Sequence, residues 1–87
     1  MSIQNLTDVE ALIAGIDIMT DRDLKLSPPV DTETMQQLGI SKTNLDLPIR
    51  RWINRRFRKP VGKAVFPKGT FKTNTTWKQL VDKVTGP

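Results

Sequence analysis

A chain of 87 residues has room for one small domain, 1–87, whose core leaves only a narrow margin over chain entropy. The absence of cysteine and histidine removes disulfide staples, thiolate metal sites, cysteine nucleophiles and the usual general base, so a noncatalytic protein without metal or cofactor is expected. The net charge of +5 hides a split. Residues 1–40 hold two cations against seven carboxylates, a net of −5, and residues 41–87 hold twelve cations against two carboxylates, a net of +10.

The first element opens at Thr7-Asp8-Val9-Glu10, the pattern of a capping box in which the threonine hydroxyl and the glutamate each meet an orphan amide. Val9, Leu12, Ile13 and Ile16 then repeat at helical spacing and predict a helix near 8–19. From Thr20 to Val30 the charges, Leu24, Leu26 and Ser27-Pro28-Pro29 predict an ordered loop whose leucines touch the core. Asp31 or Thr32 is placed to cap a short helix carrying Met35 and Leu38, with Gly39 ending it in a left-handed conformation.

The densest charge follows. Six cations fall within Arg50-Arg51-Trp52-Ile53-Asn54-Arg55-Arg56-Phe57-Arg58-Lys59. Leu45, Ile49, Trp52, Ile53 and Phe57 form an apolar stripe, and Arg50, Arg51, Asn54, Arg55 and Arg58 are expected to project from the opposite side. Because proline is tolerated in a helix's first turn, Pro48 makes Asp46 the expected cap of a helix from about 47 to 59. Arg56 falls inside the apolar arc, where it must snorkel or find a carboxylate. Ala64-Val65-Phe66, the turn Pro67-Lys68-Gly69 and Thr70-Phe71 read either as a hairpin or as a loop with two anchors. Thr76-Trp77-Lys78-Gln79 offers another capping box, and Trp77, Leu80, Val81 and Val84 form a last stripe before Gly86-Pro87. The predicted core is Val9, Leu12, Ile13, Ile16, Leu38, Leu45, Ile49, Trp52, Ile53, Phe57, Trp77, Leu80, Val81 and Val84, in an all-α fold of three or four helices.

Leu38-Gly39-Ile40, Leu45-Asp46-Leu47, an amphipathic helix ending in Phe57, Phe66-Pro67 and then Thr75-Thr76-Trp77 follow one another in an order that resembles the acyl carrier proteins. The resemblance implies a small helical bundle of acyl-carrier-like topology. It departs at the attachment point. Counting from Leu45 or from Gly39 places Asn44 or Lys42 where that family carries its phosphopantetheine serine; Ser41 is one residue displaced and follows Ile40 instead of an aspartate. Ser41 is thus the cofactor-binding residue only under an atypical-carrier reading, and the competing expectation is that Ser41 and Thr43 make turn or cap hydrogen bonds. The family's second helix is acidic, whereas this one is basic, so its usual partners are excluded by charge.

Residues 32–59 are also similar to a helix-turn-helix, whose second helix sets cations on phosphates. Trp52-Ile53-Asn54-Arg55-Arg56 resembles the homeodomain motif Trp-Phe-x-Asn-Arg-Arg, but Asn54 stands one residue closer to Trp52, a rotation of about 100° on a helix. Nucleic-acid binding is therefore the alternative to an acidic protein partner. Under either, Arg50, Arg51, Arg55, Arg58 and Lys59 are the expected contacts. No basic and apolar leader pattern opens the sequence and no stretch reaches membrane-spanning length, so a soluble, cytoplasmic protein is expected.

Overall fold

Three threonines punctuate the chain in the same way. The computed structural model describes residues 7–20 and 23–86, and in that span Thr7, Thr34 and Thr76 each form a reciprocal box with the residue three places on, Glu10, Gln37 and Gln79. The first opens the helix Asp8–Ile16, extended by a 3-10 turn Asp17–Met19; the last opens the helix Trp77–Thr85. Both match the spans expected from the sequence. Pro87 and residues 21–22 of the 20–30 loop lie outside the described residues.

The box at Thr34 corrects the expected short helix. Thr34, and not Asp31 or Thr32, is the cap, and a single turn follows before Gly39, at φ 81°, closes it. The Gly39 amide donates to the Gln36 carbonyl and the Ile40 amide to the Met35 carbonyl, a Schellman closure that leaves no room for a second turn. Met35, Leu38 and Ile40 are nevertheless buried. This segment also finishes the last helix. Glu33 and Asp31 carbonyls accept from the Trp77 and Lys78 amides at 2.7 and 3.1 Å, and the Thr75 carbonyl accepts from Met35 at 2.9 Å around an isolated antiparallel bridge between Thr34 and Thr76. With the Thr76 box, all four orphan amides at that helix start have partners.

The central helix differs most from expectation. It runs over 42–61, capped by Ser41, whose hydroxyl accepts from the Asn44 amide at 3.1 Å. Asp46 is not its cap, and Pro48 lies in its interior. The helix absorbs the proline by widening. Leu45–Ile49 is a π turn, in which bonds reach one residue further back, and a second π turn spans Asn54–Arg58.

The core joins these elements through Leu12, Ile16, Leu24, Met35, Leu45, Ile49, Ile53, Phe71, Trp77, Leu80 and Val84. Ile13, Trp52 and Val81 are only half-buried against it, and Val9, 37% exposed, stays outside it in the first turn of the first helix. Leu24 is buried and its amide is fixed by Asp17 Oδ1 at 2.6 Å, whereas Leu26, 85% exposed, does not touch the core. Among the described residues there is no strand, so 63–71 is a loop; its anchors are Phe66 and Phe71, edge to face at 5.3 Å. None of the described helices is long and apolar enough to cross a membrane.

Candidate functional site

The central helix sorts its residues into four rows with a spacing of four. Leu45, Ile49, Ile53 and Phe57 are all buried; Asp46 and Arg50 are half-buried and Asn54 and Arg58 buried; Leu47, Arg51, Arg55 and Lys59 are all exposed; Pro48 and Trp52 are half-buried, with Arg56 and Pro60 exposed beyond them. In an ideal α-helix a four-residue repeat drifts by about 40° per step, or about 120° from residue 45 to 57. The two π turns take up that drift, so each row stays straight.

The second row is structural. Arg50 Nη1 donates to the Phe66 carbonyl at 3.0 Å and its Nε to the Asp46 carbonyl at 2.8 Å. Asn54 clasps Phe66 from both sides, its Nδ2 donating to the carbonyl at 3.1 Å and its Oδ1 accepting from the amide at 2.8 Å. Arg58, 5% exposed, donates from Nε to the Ala64 carbonyl at 2.8 Å and from Nη1 to the Gly86 carbonyl at 3.3 Å, with its guanidinium 4.5 Å from the Phe66 ring centroid. Lys63 Nζ also donates to the Gly86 carbonyl, at 2.9 Å, so two cations meet the C-terminal end of the last helix. This corrects the expected outward placement of Arg50, Asn54 and Arg58. A helix read at 3.6 residues per turn puts Arg58 opposite Ile49, and the widened turns bring it round to the 63–66 segment.

The third row is the candidate site. Arg51, Arg55 and Lys59 are exposed, follow one another at one-turn spacing, and their side chains make no hydrogen bond or ion pair with any described residue. The exposed ion pair Lys78–Asp82, at 3.2 Å, lies on the last helix and does not involve them. Arg56, expected within the apolar arc, is exposed and rests over the Phe57 ring at 5.1 Å, so it needs no carboxylate. Of the five expected contacts, three are thus presented together and two, Arg50 and Arg58, are engaged with main-chain carbonyls. Ser41 is exposed and serves as a helix cap.

Sequence reading missed Asn54 as a clasp and Gly15 as the seat of Trp52; the expected turn or cap hydrogen bond of Ser41 is present, but that it opens the central helix was not foreseen. The signal for the first was present in the strict four-residue spacing of Leu45, Ile49, Ile53 and Phe57, which a helix of ordinary pitch cannot keep on one line. No family model, curated protein or solved structure matches the chain. The fold and surface define a small helical protein with a straight cationic row that has no partner among the described residues.

Proposed function

We propose that this chain is a noncatalytic interaction module that binds an acidic protein partner through Arg51, Arg55 and Lys59. One observation carries the reading. On one helix, the cations of the second row are held by carbonyls while those of the third row have no described partner, and folding alone does not require three exposed cations in line. Guanidinium forks at one-turn spacing suit carboxylates presented at a similar interval. The arrangement of helix, long loop, single turn, central helix and a last helix opening at Thr75-Thr76 supports an acyl-carrier-like topology as part of the same proposal.

Arg51→Glu with Arg55→Glu should abolish capture of the native partner in a pull-down from the source cell, while Lys72→Glu with Lys83→Glu, the same change in net charge on exposed residues elsewhere, should not. Equal loss in both variants would show that only overall charge matters and would refute the reading. Affinity for random duplex that falls steeply with salt, with no protein captured, would replace it with phosphate binding. A phosphopantetheine adduct on Ser41, detected by intact mass after coexpression with a transferase, would make the protein a carrier instead.

A further inference from the structure

Beside the cationic row lies a groove between the first and central helices. Its walls are Gly15, Ile18 and Met19 on one side and Leu47, Pro48 and Trp52 on the other, and Arg51 and Arg55 stand on its rim. The Trp52 indole packs directly on Gly15, where any Cβ would collide with the ring, so the bare glycine seats the ring that walls the groove. Ile18 is 82% exposed and Leu47 49% exposed. Singly these would be unremarked surface residues, but here they share one groove with a half-buried tryptophan. Among the described residues no carboxylate lines it. Asp17, next to Ile18 in sequence, is not among the lining residues and accepts from the Leu24 amide through Oδ1.

We propose that this groove receives an acidic amphipathic helix of a partner protein, which rests on the reading that the outward row binds an acidic partner. The charge of the rim sets the sign of the occupant: its carboxylates meet Arg51 and Arg55 while its apolar side covers Ile18, Leu47 and Trp52. The spacing sets its form. Arg51 and Arg55 are one turn apart, about 6 Å along the axis, which matches carboxylates at i and i+4 on a second helix. Both walls are helical, and an apolar trough between two helices is the usual seat for an amphipathic helix, recognised through anchors at i, i+3 or i+4, and i+7.

The test is selection of the intact protein against a display library of random peptides of about 20 residues in a helix-favouring frame. The expected outcome is enrichment of sequences with apolar residues at helical spacing flanked by Asp or Glu at i and i+4. Their binding should shift tryptophan emission to the blue, and a Trp52→Phe variant should lose that shift. Ile18→Ser with Leu47→Ser, and separately Arg51→Glu with Arg55→Glu, should each weaken binding about tenfold or more. Ile18→Ser alone, on a side chain almost wholly in solvent, guards against loss by misfolding. Enriched peptides that are acidic but lack apolar periodicity, and that bind Ile18→Ser/Leu47→Ser as well as wild type, would overturn the groove while leaving the cationic row standing. Enrichment without acidic residues would overturn both. Binding to phosphatidylglycerol vesicles with no enriched peptide would assign the groove to a lipid surface, and concentration-dependent self-association lost in Ile18→Ser/Leu47→Ser would assign it to a second copy; either overturns the proposal.

Discussion

Arg58 and Lys59 are neighbours on one helix with opposite roles. Arg58 is buried, donating to the Ala64 and Gly86 carbonyls, and Lys59 faces solvent in line with Arg51 and Arg55. The difference lies in where one residue of rotation places each side chain once the helix has widened, because their charges are the same. A cation meeting desolvated carbonyls becomes part of the fold; its neighbour, one step round, stays available.

The largest effect that tests this contrast is at Arg58. Arg58→Ala should cost about 2–4 kcal/mol in urea unfolding, since it leaves the Ala64 and Gly86 carbonyls without these donors and empties a packed site. Arg51→Glu with Arg55→Glu should move stability by no more than about 0.5 kcal/mol per residue. Comparable losses in the two would erase the distinction between the rows. Next in size, Gly15→Ala should cost about 1–3 kcal/mol because the new methyl collides with the Trp52 indole, outweighing the gain of about 1 kcal/mol that alanine brings to a helix interior. Adding Trp52→Leu should recover part of that loss; a Gly15→Ala variant more stable than wild type would mean that the two helices do not approach as described.

The smallest effect lies in the acidic half. The Thr7 amide, and then its hydroxyl, donate to Glu10 and hold its carboxyl below its ordinary value of 4.5. A carboxyl lowered in the folded state adds stability that is present above its unfolded pKa and is lost as pH falls through the folded value. Thr7→Ala removes the hydroxyl and keeps the amide, so it should bring the Glu10 midpoint, followed by NMR, only part of the way back toward its ordinary value and partly flatten the acid dependence of stability below about pH 4.5. An unchanged midpoint would show that the Thr7 hydroxyl does not hold Glu10 in solution.

The first and last helices were legible because their signals are local: a threonine three residues before Glu10 or Gln79, with apolar residues at i, i+3 and i+4, needs no partner from elsewhere in the chain. The buried row Leu45, Ile49, Ile53 and Phe57 was legible for the same reason. The start of the central helix was not, because a proline interior to a helix reads as an N-terminal residue unless the wider turn that accommodates it is known. Thr34 was passed over because its box governs one turn with no periodic stripe behind it.

Sequence alone determined that the chain is helical, that its second half carries the positive charge, and which residues cap the outer helices, since propensity, periodicity and capping act over a few residues. Only the tertiary structure decided which cations are spent on the fold and which face solvent. That choice depends on the cumulative rotation of a helix with two π turns and on the 63–66 segment, whose Phe66 amide and carbonyl and Ala64 carbonyl hold Arg50, Asn54 and Arg58. A rotation of about 100° per residue, summed over a dozen positions, is too sensitive to local winding to be read from spacing.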